Sequence, residues 1–290
     1  IYHPMIGAYA QAMLGPSHDV MPSTVTINRN AGFGNGFLSS SNSPLPILDP
    51  AAGLQHVKPK QGLDELEDRV AVLDQLDSTF RENHPDQNVK AYTDFYDHSL
   101  RLMGGKDVEA FDISKESEEM RKAYGHTKIG QGCLLARRLV ESGVRFVEVV
   151  SQGWDFHNNL ASGLEELSPG LDQGVAQLIR DLEQRGKLDE TLVVLTTEFG
   201  RNPKSGGSGR GHYPSAFSVA LAGGGVKSGS TYGQTNANGQ GVKENPVTTG
   251  DLHATIGYAM GIKPGRSVMS PTGRPFNIGN KGKPILGVMA

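Results

Sequence analysis

The stretch Val144–Arg201 decides the fold of this chain. It begins VRFVEVVSQGWDFHNN and ends TLVVLTTEFGR, with a helical segment between these motifs. The β-branched runs Val144–Val150 and Thr191–Thr196 are typical of buried strands in a parallel sheet. The apolar face of Leu171–Glu183 predicts a crossover helix between the two runs, which implies right-handed, parallel pairing. We therefore predict an α/β fold with a layered, mostly parallel sheet flanked by helices.

The spacing of apolar residues predicts further elements along the rest of the chain. Helices are expected at Ile6–Leu14, Leu63–Phe80, Val89–Met103, Asp112–Gly125, Ile129–Ser142 and Thr248–Met260, and short strands at Val25–Ile27 and Ala216–Leu221. The whole chain, residues 1–290, is interpreted as one α/β domain with a loop-rich start at 1–60 and a coil-rich tail at 263–290. Within the start, Asn28–Pro50 is rich in Gly, Asn, Ser and Pro and is predicted to be a long loop.

The composition indicates a folded chain with no general affinity for polyanions. The formal net charge of -3 gives no drive toward nucleic acid or anionic lipid, so no nucleic-acid partner is expected. No run of about 18 apolar residues is present, so no transmembrane helix is expected. A single cysteine, Cys133, excludes an internal disulfide, and its apolar neighbours indicate a buried thiol. The opening IYHPMIGAY does not begin with methionine and has no export signal, so we expect a processed form or a fragment.

Polar residues directly after the two predicted strands form the first candidate site, because ligands of open α/β sheets bind outside the carboxyl ends of strands. Asp155 and His157 are two residues apart, so both can face one cation such as zinc, manganese or iron. Alternatively, Asp155 caps the next helix and His157 hydrogen-bonds to it. Glu198 must be solvated, paired or metal-bound after an apolar strand. Arg201 is its simplest partner, or else presents a planar fork to phosphate or sulfate.

A glycine-rich loop, GRGHYP at 209–214, supplies further polar side chains before the next predicted strand. Its glycines permit either a close approach to a ligand or a sharp turn. His212 is either a loop histidine or a member of the site. Asp251 is interpreted as a residue at the start of the last helix. Arg137 and Arg138 are interpreted as charges on a helix surface, with anion binding as the alternative.

Six motifs follow one another along Ala110–Ile262: AFDISKESEEMRKAYG, CLLARRLVESGVRFVEV, GWDFHNN, TLVVLTTEFGRNP, GRGHYPSAFSVALAGGGVKSGSTYG and DLHATIGYAMGI. As an ordered set they resemble the bacterial domain of unknown function 1501 family, which is regarded as a distant branch of the alkaline phosphatase and sulfatase superfamily. The stretch Phe33–Leu38, within GFGNGFL, is similar to an upstream loop of that family. The resemblance implies an alkaline phosphatase-like fold with a metal site at the strand ends.

The resemblance also implies the residues of that site and their chemistry. The implied metal ligands are Asp155, His157, Glu198 and His212, and the implied anion-binding residues are Arg201 and Arg210. A divalent metal, either zinc, manganese or calcium, would support hydrolysis of a phosphate or sulfate ester, with an anionic small molecule or glycan ester as substrate. Family members are often exported, which implies a periplasmic or cell-surface location. A homo-oligomer is a possible assembly.

Three departures from the family pattern favour an alternative, a non-catalytic exported binding or assembly protein on a degenerate hydrolase fold. Gly211 stands where relatives usually carry an aspartate, which removes a ligand or a partner of His212. Phe199 stands where the superfamily often has a histidine ligand. The family's N-terminal region, which carries the nucleophile in the superfamily, is expected to be missing. Because they are placed at strand ends or in adjoining loops, the four implied ligands are expected to cluster in one pocket. The three departures lead us to expect inefficient hydrolysis.

Overall fold

The computed structural model of the chain describes residues 2–29, 34–204 and 206–290, so Phe33 of the family-like loop lies outside the described residues. The chain divides into two compact units. The first comprises Ile1–Arg121, Leu134–Val150 and Val268–Pro275, and the second comprises Lys122–Cys133, Ser151–Ser267 and Phe276–Ala290. Both combine helices with short strands, which confirms the α/β class. Within the described ranges, no helix has both the length and the apolar character needed to cross a membrane.

A three-stranded parallel sheet forms the centre of the first unit. Its strands are β1 (Thr24–Ile27), β2 (Leu45–Ile47) and β3 (Phe146–Val149), in the order β2-β1-β3. All four residues of β1 are buried, whereas those of β3 at the edge are half-buried. Helix α1 (Ile6–Leu14) packs against the sheet at Gly7, where a Cβ would lie 2.5 Å from the Thr24 side chain. The predicted first helix and first strand are thus confirmed.

Strand β2 lies inside Asn28–Pro50, which the sequence predicted to be one long loop. A 3₁₀ turn at Ser40–Asn42 precedes β2. The three residues of β2 pair with β1. Proline cannot donate a ladder hydrogen bond, so Pro46 is tolerated because β2 is at the edge of the sheet. A three-residue strand with a central proline has no alternation that periodicity can detect. The prediction of a continuous loop was therefore wrong.

Among its described residues, the second unit contains six short strands in antiparallel pairs. They are β4 (Val193–Leu195), β5 (Gly200–Arg201), β6 (His212–Tyr213), β7 (Ala220–Ala222), β8 (Gln234–Thr235) and β9 (Val242–Glu244). The pairs are β4 with β7, β5 with β6, and β8 with β9. Another two-stranded pair joins β10 (Val268–Met269) and β11 (Pro275–Phe276) near the end of the chain.

The predicted parallel pairing of the two apolar runs is wrong. Among the described strands, β3 pairs with β1, whereas β4 pairs antiparallel with β7. The burial expected for β4 is also incomplete, since Leu195 is 39% exposed. A helix between two strands permits their parallel pairing but does not enforce it. Periodicity identifies a strand without identifying its neighbour. Because β4 is not part of it, the parallel sheet in the described part of the chain is small.

Four of the six remaining helices agree closely with the predicted segments, whereas α4 and α6 differ from them. They are α2 (Leu63–Asn83), α3 (Gln87–Gly104), α4 (Glu118–Tyr124), α5 (Lys128–Glu141), α6 (Leu160–Gln184) and α7 (Thr249–Ala259). The predicted helix Asp112–Gly125 is divided into a 3₁₀ turn at Ile113–Lys115 and α4. Helix α6 begins well before the predicted Leu171 and continues through Pro169. Further 3₁₀ turns occur at Lys106–Phe111, Leu188–Glu190 and Leu286–Val288.

Helix α5 carries charge into the core of the first unit. The side chain of Arg137 is only 2% exposed and contacts Glu116 at 3.0 Å and Glu141 at 2.8 Å. Arg138 also contacts Glu116. The interpretation of both arginines as surface charges was therefore wrong, because the partner carboxylate of Glu116 comes from outside the helix. The predicted burial of Cys133 is confirmed, and burial raises the pKa of its thiol to about 12.

Candidate functional site

Two segments of the second unit bring predicted site residues together. Asp155 and His157 lie in the coil that precedes α6, not on a strand. His212 lies in β6, where it is the cross-strand partner of Arg201 in β5. Directly opposite residues share one face of an antiparallel pair. The β5–β6 pairing therefore places an arginine and a histidine side by side.

The glycine-rich loop before β6 is fixed against the coil that carries His157. The backbone N–H of Arg210 donates to the carbonyl of Phe156 at 3.0 Å. A Cβ on Gly209 would lie 2.1 Å from the carbonyl carbon of His157, so glycine alone permits this approach. A Cβ on Gly211, in contrast, would have no atom within 4 Å. The close approach expected of this loop is thus made to the protein's own backbone.

One side-chain atom from each of Asp155, His157 and His212 forms a corner of a nearly equilateral triangle. The Nε2 atoms of His157 and His212 are 3.2 Å apart. Asp155 Oδ1 lies 3.2 Å from Nε2 of His157 and 3.1 Å from Nε2 of His212. The three side chains are 58%, 52% and 47% exposed, in that order. Three of the four predicted ligands therefore converge, on an open surface rather than in a closed pocket.

These separations match the spacing of ligand atoms around a single metal ion. Zinc, with bonds of about 2.0–2.1 Å, holds tetrahedral ligand atoms roughly 3.3 Å apart. An octahedral ion with bonds of about 2.2 Å holds neighbouring ligand atoms roughly 3.1 Å apart. Two imidazole nitrogens and one carboxylate oxygen suit zinc, iron or manganese, whereas calcium prefers a shell of oxygens. The residues present therefore fit a transition-metal ion better than calcium.

The Asp155 carboxylate supplies the negative charge of the cluster, and Arg201 contacts the same Oδ1 atom that forms the triangle. Hydrogen bonds from Arg201 and His212 lower the pKa of Asp155 from its ordinary value, so its carboxylate is ionised at neutral pH. Two Nε2 atoms 3.2 Å apart cannot both direct a proton at each other, so at least one presents a lone pair. A metal bound by both histidines needs a lone pair on each Nε2, so the proton that His212 shares with Asp155 would have to leave on binding. Without a metal, one shared N–H would satisfy the same contact.

Arg201 bridges two carboxylates beside the triangle. Its Nη1 donates to Oδ1 of Asp155, and its Nη2 donates to Oε1 of Glu198 at 3.1 Å. The sequence left open whether Glu198 is a ligand or pairs with Arg201, and the pairing is what the structure contains. The triangle does not include Glu198, which is linked to it through Arg201. Arg210 is exposed in the neighbouring loop.

Phe199 packs against the residues that surround the triangle. Its ring centroid lies 4.4 Å from that of His212. The guanidinium carbon of Arg201 lies 5.3 Å from the same Phe199 centroid. A cation over an aromatic face gains about 0.5–1 kcal/mol at an exposed position. Phe199 therefore restrains both His212 and Arg201.

Asp251 serves the local structure of helix α7. The hydroxyl of Thr248 accepts a hydrogen bond from the Asp251 N–H at 3.1 Å, and the Asp251 carboxylate accepts one from the Thr248 N–H at 2.9 Å. This reciprocal pair is a capping box, which satisfies two backbone donors at a helix start. The interpretation of Asp251 as a helix-start residue is confirmed.

Two contributions to the site were missed by sequence reasoning. The contact between Asp155 and Arg201 joins residues that are 46 apart in the chain. Ser208 accepts a hydrogen bond from the Asn159 N–H at 3.1 Å through its hydroxyl, which helps to fix the loop before β6. The glycines of SGGSG indicated a close approach but not its partner. Such partners depend on tertiary contacts that local pattern does not contain.

Comparison with protein-family models assigns the chain to a family. The model of a protein of unknown function (DUF1501) matches residues 1–289. The chain belongs to the DUF1501 family. Comparison with curated proteins and with solved structures gave no match. The family resemblance inferred from the ordered motifs is thus confirmed for this DUF1501 member over almost its whole length.

Proposed function

We propose that this DUF1501 chain binds one divalent transition-metal ion through Asp155, His157 and His212 and acts there on phosphate or sulfate esters. The observation that carries the proposal is the triangle of two Nε2 atoms and one carboxylate oxygen, with edges of 3.1–3.2 Å. Descent from the alkaline phosphatase and sulfatase superfamily, which the motifs suggest, supports ester chemistry over a purely structural ion. That descent and an alkaline phosphatase-like fold are part of the proposal.

The residues around the triangle are suited to an anionic substrate. A divalent cation supplies Lewis-acid chemistry, because it polarises an ester oxygen and lowers the pKa of water. Arg201 has five N–H donors, of which its contacts to Asp155 and Glu198 use only a part. The rest of the guanidinium can hold phosphate or sulfate oxygens, while Glu198 fixes its orientation. Arg210 adds a second positive charge from the exposed loop, so the substrate class is an anionic small molecule or glycan ester.

We expect hydrolysis at this site to be slow. The three proposed ligands are about half exposed, so water is not excluded from the site. One triangle accommodates one ion, whereas two-metal esterases hold both the attacking and the leaving oxygen. Among the described residues, no side chain is assigned as nucleophile. Slow turnover follows from these three features together.

Metal analysis tests the proposed ligand set directly. The purified chain is dialysed against zinc or manganese, and bound metal is measured by plasma mass spectrometry. We expect about one ion per chain and an affinity roughly 10–100-fold lower for His157→Asn and His212→Asn, by analogy with losses at perturbed sites. His253→Asn is the matched control, since His253 is exposed and lies outside the triangle. Absence of bound metal, or an equal loss in the control, would overturn the site.

A turnover assay tests the ester chemistry separately. p-Nitrophenyl phosphate and p-nitrophenyl sulfate are incubated with the chain, with and without zinc or manganese. We expect metal-dependent release of nitrophenol below ordinary enzyme rates of about 1–10³ per second, lost in His157→Asn. Rates in the ordinary range would contradict the expected inefficiency and show that a nucleophile was overlooked. Metal binding with no turnover of either ester would contradict the hydrolase proposal while leaving the metal site intact.

The open surface of the triangle favours a second candidate, a non-catalytic binding or assembly protein. Binding of an anion to a metal and Arg201 does not require exclusion of water, whereas efficient hydrolysis usually does. In this case phosphate or sulfate would compete for the site, and ester turnover would be absent. Isothermal titration of the metal-loaded chain with inorganic phosphate, alongside the turnover assay, separates the two candidates.

A periplasmic or cell-surface location is proposed on the family resemblance alone. Fractionation of bacteria that express the full-length natural protein would test it. Recovery of the protein in the cytoplasmic fraction would contradict an exported role. A homo-oligomer is likewise a proposal, tested by sedimentation of the chain.

A further inference from the structure

Helix α2 presents an apolar stripe that the chain leaves exposed. None of its 21 residues is buried. Val72, Leu73, Leu76 and Phe80 are 56%, 36%, 73% and 53% exposed. At about 100° of rotation per residue, these four side chains fall within roughly 100° of arc and share one face. Contiguous exposed apolar surface of this kind marks an interaction site.

An open groove between α2 and α3 adjoins this stripe; we call it the hairpin groove. Its volume is about 780 Å³, and its apolar lining is Val70, Ala71, Leu73, Phe80, Val89 and Tyr96. The residues of α2 that line it extend from Glu67 to Arg81, about 21 Å along the helix at 1.5 Å per residue. That distance equals about four helical turns. The groove therefore suits an elongated occupant better than a compact small molecule.

The hairpin is strongly acidic compared with the rest of the chain. Leu63–Gly104 contains ten acidic and four basic residues, a formal charge of -6, whereas the whole chain carries -3. Both arginines of α2 already contact acids of the same helix, Arg69 with Glu65 at 2.6 Å and Arg81 with Asp74 at 2.5 Å. The apolar stripe is thus bordered by uncompensated negative charge. Such a surface repels anionic lipid and a second copy of itself, and attracts lysine and arginine.

We propose that the hairpin groove docks an amphipathic helix of a partner protein, about four turns long, whose apolar face is flanked by lysine or arginine. Apolar side chains at helical spacing enter the groove, as in other helix-in-groove complexes. The cations of the partner meet the acidic border, which contains Glu67 and Asp77. This inference does not depend on the proposed metal site.

A synthetic peptide provides the probe. It has 18 residues, with leucine at helical i, i+3, i+4 and i+7 positions and lysine on both flanks, and carries a fluorescent label. A matched peptide has glutamate in place of every lysine. Fluorescence anisotropy with the full chain should give a dissociation constant on the order of micromolar for the lysine peptide, weakening with salt. The glutamate peptide should not bind.

Variants locate the binding surface on the chain. Leu73→Ala should weaken binding of the lysine peptide roughly tenfold or more, because Leu73 lines the groove and is 36% exposed, so the change removes a leucine that the complex buries. Leu48→Ala is its control, since Leu48 is 59% exposed but outside the hairpin. Glu67→Gln combined with Asp77→Asn should weaken binding and reduce its salt dependence. Glu165→Gln combined with Glu166→Gln, on the exposed surface of α6, is the control for charge alone.

Three results would overturn the proposal. The first is absence of binding by the lysine peptide at low salt. The second is equal weakening by the hairpin variants and their controls, which would indicate non-specific attraction to an acidic protein. The third is a dimer in sedimentation that Leu73→Ala dissociates, which would make a second copy the occupant. Circular dichroism of each variant checks that the helices are retained.

Discussion

Arg137 and Arg201 each bridge two carboxylates, but in opposite environments. Arg137 lies in the core of the first unit, 2% exposed, between Glu116 and Glu141. Arg201 lies at the surface of the second unit, 25% exposed, and its two carboxylate partners are 58% and 59% exposed. The same chemical arrangement is therefore found once with a fully buried arginine and once with a partly buried arginine between exposed carboxylates.

The difference shows which of the two clusters can exchange partners. A buried charge that loses its partner carries a desolvation cost of several kcal/mol, so the Arg137 cluster is fixed. An exposed ion pair contributes only about 0–1 kcal/mol, because water replaces the lost contact. Arg201 can therefore turn from Asp155 or Glu198 toward an incoming anion at little cost. The buried cluster stabilises the fold, and the exposed one is available for binding.

The largest expected effect is the loss of the buried arginine. Arg137→Ala should lower the free energy of unfolding by about 3 kcal/mol, near the lower end for a broken buried pair because Arg138 still contacts Glu116. Urea unfolding followed by circular dichroism measures the change. A loss below about 1 kcal/mol would mean that the ion pairs of Arg137 contribute no more to stability than those of Arg201, which would contradict the difference between the two clusters.

A smaller effect is expected in the loop that supports the triangle. Gly209→Ala places a Cβ 2.1 Å from the carbonyl carbon of His157, so the two loops must separate. We expect metal affinity to fall roughly 10–100-fold, as when groups that orient metal ligands are removed. Gly211→Ala is the matched control, because its Cβ would meet no atom within 4 Å. Zinc competition with a chromogenic chelator gives both values, and equal affinities would contradict the importance of this contact.

Removal of the exposed arginine should barely affect stability. Arg201→Ala should change the free energy of unfolding by less than about 1 kcal/mol, since its ion pairs are solvated. If the proposed ester site exists, the same variant should raise KM for p-nitrophenyl phosphate more than it lowers kcat. Urea unfolding and steady-state kinetics provide the two readouts. A large loss of stability would mean that Arg201 is a structural residue like Arg137.

The smallest effect concerns the titration of Asp155. Hydrogen bonds from Arg201 and His212 lower its pKa below the ordinary 3.8, so any stability from these contacts is present above that pH. It is lost as the pH falls through the lower pKa of the folded state. NMR titration of the labelled carboxyl carbon should give a midpoint below 3.8 in the chain and a higher midpoint in Arg201→Ala. Equal midpoints would mean that the guanidinium does not act on this carboxylate.

Local pattern predicted the elements of this chain better than their pairing. Helices such as α1 and α7 were predicted closely because apolar periodicity and end signals are local properties. Strand β2 was missed because three residues with a central proline give no alternation. The parallel pairing of β3 with β4 was wrong because strand order is decided by contacts distant in sequence.

The candidate site was predictable to a similar degree. Asp155 and His157 were selected by residue type and by position after an apolar run, whereas His212 was implied as a ligand by the family resemblance. The three side chains converge. The bridging position of Arg201 was not predicted, because its contact with Asp155 spans 46 residues. The burial of Arg137 was missed for the same reason, since Glu116 approaches it from another element. The local sequence therefore indicated which residues could bind a ligand, but it did not indicate which side chains contact one another.

Pro169 divides helix α6 into two segments that differ in their buried residues and anchoring contacts. Proline has no amide hydrogen, so the backbone ladder of the helix is interrupted at this position. The buried residues of α6 are Gly163 before the proline and Gly174, Asp181 and Leu182 after it. Tyr124 also anchors the second segment, since its hydroxyl donates to Asp181 at 3.0 Å. We therefore expect the first turns, which begin shortly after His157, to exchange their amide hydrogens sooner than the anchored half in a hydrogen-exchange experiment.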